Sequence, residues 1–204
     1  MTKSRLIVTM LGAAALTAAL GAGAADYPAR PIRVIVPQSA GGSTDVAARI
    51  LTDQLSTVLK QNLVVDNRPG AGSNIGTRAV AQANADGYTI LLATSSTHSI
   101  GPNLNPRMPY DAVRDFTPIA QVGNAPSIML VPNSSPAKTI QEWIEFAKKN
   151  PGRLNYASSG NGTIVQLTAE LFKSQAGLFV VHIPYKGAAP AMQDLLSGVV
   201  DLSF

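Results

Sequence analysis

Through most of its length the chain repeats one pattern: a short run of β-branched residues, a turn almost without side chains, then apolar residues at helical spacing. That alternation leaves few folds open. Successive strands joined by crossover helices run parallel, and right-handed crossovers pack the helices onto the faces of a sheet. The first unit is the clearest. Ile32–Val36 (IRVIV) is broken only by Arg33 and stops at Pro37. Ala40, Gly41 and Gly42 form a tight turn. Ser43, Thr44 and Asp45 open a helix predicted to reach about Lys60, with Val46, Ile50, Leu51, Leu55, Val58 and Leu59 on its apolar face.

The later units follow suit. Leu63–Val65 reads as a strand, residues 67–76 (NRPGAGSNIG) as a Gly-rich loop, and the small residues to about Ala83 as a helix. Thr89–Ala93 is a third strand, ending at Thr94, Ser95 and Ser96. Residues 101–115 carry several prolines and read as a surface loop, and Ile119–Val122 and Ser127–Val131 as two short strands. After a crossover at Pro132–Pro136, Thr139 and Glu142 form a capping box for a helix to about Lys149. Leu154–Ala157 and Val180–Ile183 read as strands. Each is followed by a small-residue turn and a helix, over Thr163–Ala176 and Ala189–Ser197, and Val199–Phe204 reads as a last strand. The change of pattern near Pro132 divides the chain into two lobes, residues 26–125 and 126–204. The expected class is α/β, each lobe a mostly parallel sheet flanked by helices. Because VVDLSF looks like a strand in progress, the second lobe is expected to be incomplete, the chain being a fragment.

Lys3 and Arg5 precede an apolar stretch from Leu6 to Leu20. At about fifteen residues it suits a secretory signal better than a membrane span. Small residues end it, and a cut near Ala25 is expected, releasing a periplasmic protein. The chain has no cysteine, which excludes disulfides, thiolate metal sites and a lipidated cysteine anchor. Its formal net charge is +4, lower still once Lys3 and Arg5 are lost, and no basic run argues for nucleic acid.

In a parallel sheet, ligands bind beyond the carboxyl ends of the strands. Ala40–Asp45 and Ser158–Thr163 stand at that edge, one in each half. Either turn can be a plain βα connection with a Ser or Thr cap, or an anion cradle made of unpaired N–H groups at a helix start. Ser95, Ser96 and His98 follow the third strand to the same edge, where His98 can equally be a wall residue. Tyr185, Lys186 and Gly187 can place a hydroxyl or a cation beside a ligand, or form a surface turn. Arg49 and Arg68 are the other candidate cations. Gly70, Ala71, Gly72 and Gly76 approach a dinucleotide fingerprint but miss its spacing by one residue, so they read as a tight loop with close helix packing. No GxSxG elbow is present. His98 and His182 lie in different halves with no carboxylates at metal-site spacing, and no pair of acids stands at the expected cleft.

Five segments occur in order: YPARPIRVIVPQSAGGSTDVAAR, VVDNRPGAGSNIGT, DGYTILLATSSTH, LNYASSGNGT and VHIPYKGAAPAMQDLLSGVVDL. Together they resemble the extracytoplasmic solute receptors of the tripartite tricarboxylate transporter class, the Bug or TctC family. The resemblance implies a two-lobed periplasmic binding protein, type II-like, with a hinged cleft. It implies a monomer that takes a small carboxylate and delivers it to a membrane permease of a large and a small subunit. The ligand contacts it implies are Ser39, Ala40, Gly41, Gly42, Ser43, Thr44, Asp45, Ser95, Ser96, His98, Ser158, Ser159, Asn161, Gly162, Thr163 and Tyr185, with others beyond Phe204. It implies no catalytic residue, metal or cofactor. Two alternatives remain: a ligand-sensing partner of a membrane kinase, and an exported enzyme acting on a small carboxylate.

Overall fold

The computed structural model describes residues 26–204, and the export signal read over residues 1–25 lies outside the described residues. The first sheet is built around β1 (Ile32–Val36), with β2 (Leu63–Asn67) on one side and β3 (Thr89–Leu91) on the other, all parallel. Its central position explains its composition. Ile32, Val34, Ile35 and Val36 are all buried while Arg33 reaches solvent, where its guanidinium meets Asp66 of β2. Helix α1 (Ser43–Leu59) connects β1 to β2 and ends at Lys60, which takes the left-handed conformation. Helix α2 (Asn74–Ala81) connects β2 to β3.

The second sheet pairs β4 (Asn155–Ser158) with β5 (Val181–Pro184), again in parallel. Adjacent residues of a strand face opposite sides of a sheet, and β4 uses both. Tyr156 packs with Trp143 and Ala147 of α4 (Ile140–Lys149), Ala169 of α5 (Ile164–Ala176), Val180 and Leu202. Ala157 packs with Ala191 and Leu195 of α6 (Ala188–Leu196) and with Val200. Helices therefore cover both faces, as the alternating pattern requires. The capping box holds in part. Thr139 Oγ1 accepts the Glu142 N–H (3.2 Å), but the Glu142 carboxylate takes the N–H of Lys138, one residue before the cap. No helix among the described residues is long and apolar enough to cross a membrane.

Three readings are corrected. Ile119–Val122 and Ser127–Val131 form no strands; Ile119 is 82% exposed and Ile128 62%, and only Leu130 pairs, in an isolated antiparallel bridge with Ser203. Their β-branched residues favour extended backbone, but a strand exists only beside a partner, and none of the described strands lies there. For the same reason Val199–Phe204 makes single bridges, Leu202 with Tyr156 and Ser203 with Leu130, rather than a strand. The surface loop after β3 contains a π-turn at Ser96–Ile100 and a short helix, α3 (Gly101–Leu104). Tyr110 fixes this segment, its buried hydroxyl bonding Asn74 Oδ1 and Thr97 O, each at 2.9 Å.

The Gly-rich loop before α2 sits where close packing requires it. A Cβ on Gly76 would lie 2.7 Å from Arg68 O and 2.8 Å from Pro37 Cα, so α2 rests directly on the backbone leaving β1 and β2. Gly76→Ala should cost about 1–3 kcal/mol by overpacking. Gly123→Ala, with nothing within 4 Å of the added methyl, should be close to neutral. Urea unfolding of the two variants checks the contrast.

Candidate interlobe binding site

The turns at the carboxyl ends of the strands meet one another. The β1–α1 turn touches the start of α6: a Cβ on Gly187 would overlap Ser39 Oγ and lie 2.8 Å from Ser39 N, and one on Gly42 would sit 3.6 Å from Ala188 Cβ. The loop before α2 touches the β4–α5 turn: a Cβ on Gly72 would overlap the carbonyl oxygen of Asn161, and one on Gly160 would lie 3.5 Å from Gly72. Among the described residues a single hydrogen bond spans the lobes directly, from the Ile164 N–H at the start of α5 to Ser96 Oγ (3.1 Å). Only residues without side chains let backbones approach this closely.

The first-lobe turn is organised by Asp45. This carboxylate is 2% exposed and accepts from Gly41 N (2.9 Å), Arg49 Nε (2.9 Å) and Asn67 Nδ2 (2.9 Å). Burial alone would raise its pKa; the hydrogen bonds from Arg49, Gly41 and Asn67 outweigh burial and hold it below the usual carboxylate range. Gly42, not Ser43, is the N-cap, and no side chain caps α1. Gly41 N–H is thus committed to Asp45, and Gly42 N–H to Ser39 O (3.3 Å). Among the described residues no protein group accepts from the N–H groups of Ser43, Thr44 and Asp45, the open donors of this helix start. Thr44 Oγ1 donates to Gln38 Oε1 (2.8 Å). Ser39 Oγ is buried with no hydrogen-bond partner among the described residues.

The second-lobe turn is held from within. Ser158 is fully buried, and its hydroxyl meets Gly160 N and O (3.2 Å each) and His182 Nε2 (2.7 Å). Thr163 Oγ1 donates to Gly160 O (2.7 Å), and Gly162 N–H donates to Gln166 Oε1 (2.7 Å). Ser159, Asn161 and Thr163 keep backbone N–H groups with no protein acceptor among the described residues. The arrangement offers neutral donors at the starts of α1 and α5, the positive ends of both helix dipoles.

The remaining candidates divide. Ser96 is buried at the seam and Ser95 exposed beside it. His98 is a wall residue, stacked edge-on against Phe116 (4.7 Å) with Nδ1 on Thr97 Oγ1 (2.8 Å), and burial pushes its pKa down. The phenol of Tyr185 bonds Asp194 of α6, and that bond, helped by burial, pushes its pKa up to about 12. Arg49 is paired with Asp45, and Arg68 with Asp66 (3.0 Å), whereas Lys186 is exposed with no carboxylate partner among the described residues. A shallow hollow of about 470 Å³ runs instead along the outer β1–β2 surface, past Ile32, Val64 and Val65, and gathers none of the Ser- and Gly-rich turns. Gln166 and His182 are the supporting residues that sequence reasoning passed over. Gln166 was legible, standing three residues after Thr163 at capping-box spacing.

A family model described as the tripartite tricarboxylate transporter family receptor, TctC, matches residues 47–204. The chain belongs to this family. It is 41% identical to the protein BugT of Bordetella pertussis over 203 residues, 98% of this chain and 62% of BugT. An R. palustris protein solved with adipate is 36% identical and superposes with a TM-score of 0.85 over 87% of this chain and 60% of its own. MatC from Rhodopseudomonas palustris, solved with bound malate, is 30% identical with a TM-score of 0.81 over 87% of this chain and 60% of its own. The chain thus spans about three fifths of the length of these relatives. Family receptors are solute-binding proteins rather than enzymes, and the fold is the two-lobed α/β fold of periplasmic binding proteins.

Two predictions follow from the seam. Gly187→Ala, with a Cβ driven into Ser39, should hold the lobes apart, and small-angle scattering should show a larger radius of gyration than wild type. His98 and His182 are both pushed down by burial, so the unfolded chain takes up protons first as pH falls. Their contribution is complete above the ordinary histidine value of about 6.5 and declines below it. Thermal unfolding should show a Tm that is flat above pH 7 and falls between pH 6.5 and 5.

Proposed function

We propose that this chain is the receptor of a tripartite tricarboxylate-type transporter. It captures a small carboxylate between lobes formed by residues 26–125 and 126–204, as a monomer in the periplasm after cleavage near Ala25. It then delivers the ligand to the membrane permease subunits. The observation that carries this reading is that the starts of α1 and α5 each pack against the other lobe, with N–H groups at Ser43, Thr44 and Thr163 that have no protein acceptor among the described residues. The carboxylates in the two relatives' structures, adipate and malate, support the same ligand class.

The energetics suffice without an arginine clamp. Each helix start contributes about 0.3–2 kcal/mol toward an anion. Hydrogen bonds to a charged group add about 1.5–3 kcal/mol each. Micromolar affinity needs about 8 kcal/mol net, which four or five such contacts with both helix starts reach after ordering costs. Hydroxyls of Ser39, Ser43, Ser95 and Ser159 and the Asn161 amide stand beside these N–H groups. The Ser39 hydroxyl, buried with no hydrogen-bond partner among the described residues, is a further group that a ligand carboxylate would satisfy.

The full-length protein should show a raised Tm with at least one member of a panel of mono-, di- and tricarboxylates, amino acids and aromatic acids, adipate and malate included. Gly42→Asp, which sets a carboxylate at the start of α1, should abolish the shift while leaving the protein folded by circular dichroism. No shift from ligand-free wild type across the panel, or turnover of a bound acid, would overturn the receptor reading.

A further inference from the structure

The ring of His182 lies behind the second-lobe turn, half-buried. It stacks on Tyr156 at 4.7 Å, and its Nε2 meets the buried Ser158 hydroxyl at 2.7 Å. Its Nδ1 faces the Gln166 side-chain nitrogen at 3.4 Å. The direction of every bond in this chain can be worked out. Gly162 N–H can only donate, so the Gln166 atom facing it is the oxygen. The Gln166 amide nitrogen, a donor, then faces Nδ1, which must accept. Nε2 therefore carries the proton and donates to Ser158 Oγ. Ser158 also accepts from Gly160 N–H and gives its own proton to Gly160 O, which takes a second from Thr163 Oγ1. The Nε2–H tautomer thus matches the hydrogen bonds on both sides of the ring, through Ser158 to Gly160 and through Gln166 to Gly162.

We propose that His182 is a positioning residue for carboxylate capture, holding the second-lobe turn in its binding shape through Ser158 and Gln166 and releasing it on protonation. The inference rests on the receptor reading above. An imidazolium has two donors. Its Nδ1–H would confront the Gln166 amide donor, and Gln166 could meet it only by turning its oxygen away from Gly162. The turn would then lose the acceptor that orients Gly162 N–H, next to the start of α5. The titratable groups facing the ring are Tyr156 from β4 and Glu170 and Lys173 from α5. Burial lowers the His182 pKa, with Glu170 opposing and Lys173 adding to it, so the neutral ring prevails at pH 7. The pair is no hydrolytic dyad: behind the ring stands a neutral amide rather than a carboxylate, and the Ser158 proton is committed to Gly160.

The test uses full-length protein and whichever of adipate, malate or another panel acid binds wild type, with Kd measured by calorimetry from pH 8 to pH 5. Wild type should bind evenly above pH 7 and at least tenfold more weakly at pH 5. His182→Gln places an uncharged amide N–H near the Nε2 position. It should keep affinity within about threefold of wild type at pH 8 and lose the acid-side weakening. The carboxylates of the probe titrate alike in both, so any effect of theirs cancels. His182→Leu should bind at least tenfold more weakly at every pH, its folding checked by circular dichroism. Nitrogen-detected NMR of wild type should show His182 protonated on Nε2 at pH 7. A Leu variant that binds like wild type, a Gln variant that keeps the acid-side loss, or an Nδ1–H tautomer would each overturn the proposal. Failure of every acid to bind wild type would instead overturn the receptor reading.

Discussion

Bare backbone meeting bare backbone is the constraint on which the rest of the site depends. Gly72 lies against Asn161, and Gly187 against Ser39, at separations that a single methyl group would forbid. Each contact joins the end of a strand in one sheet to the turn after a strand in the other. The seam therefore forms where the dipoles of α1 and α5 are positive and where N–H groups have no helical partner. Parallel topology puts all these turns at one edge of each sheet, and the glycines let the two edges touch. A side chain at either position would hold the helix starts apart and thin the field that a ligand between them experiences.

Charge is handled in an unusual way for the anion site we propose. The arginines near the first-lobe turn are already spent, Arg49 on Asp45, and Arg68 and Arg33 on Asp66, whereas Lys186, beside the Gly187 that abuts Ser39, has no carboxylate partner among the described residues. Asp45 itself is a buried carboxylate at the base of the cradle, and alone it would repel an acid. Three donors surround it, and through Gly41 it fixes the turn from which Ser43 and Thr44 present their N–H groups. Oriented neutral dipoles of this kind would recognise a carboxylate by geometry and tolerate variety in what it is attached to.

What the sequence disclosed was local, and what it withheld was not. The strand before Gly42 was readable because β1 is an apolar run stopped by Pro37, and β4 because Leu154, Tyr156 and Ala157 lie between the Pro151–Gly152 turn and the Ser/Gly turn that follows. The capping box at Thr139 was readable because its partner is three residues away. Ile119–Val122 misled, because β-branched composition describes a strand's preference and not the presence of a neighbour to pair with. The role of Asp45 could not be read, since one of its partners, Asn67, lies on another strand 22 residues away. The bond from His182 to Ser158 spans 24 residues and exists only because β4 and β5 pair in the register Tyr156–His182. At the site itself, Ser39 and Ser96 lie where the two lobes touch, and the N–H groups of Gly41, Gly42 and Gly162, read as ligand donors, serve the turns instead.

The bond from Ile164 to Ser96 shows how the two lobes share one helix start. It places a first-lobe hydroxyl on the first N–H of α5, the kind of group an anion would seek. Ser39, which abuts Gly187 at the start of α6, has by contrast no hydrogen-bond partner among the described residues. The Ser96 hydroxyl therefore takes up a donor that a ligand would otherwise claim. Under the receptor reading, a carboxylate would reach Ser39 and the N–H groups of Ser43 and Thr44 without having to break the Ser96 bond, so contact between the lobes and ligand capture would not compete for the same groups.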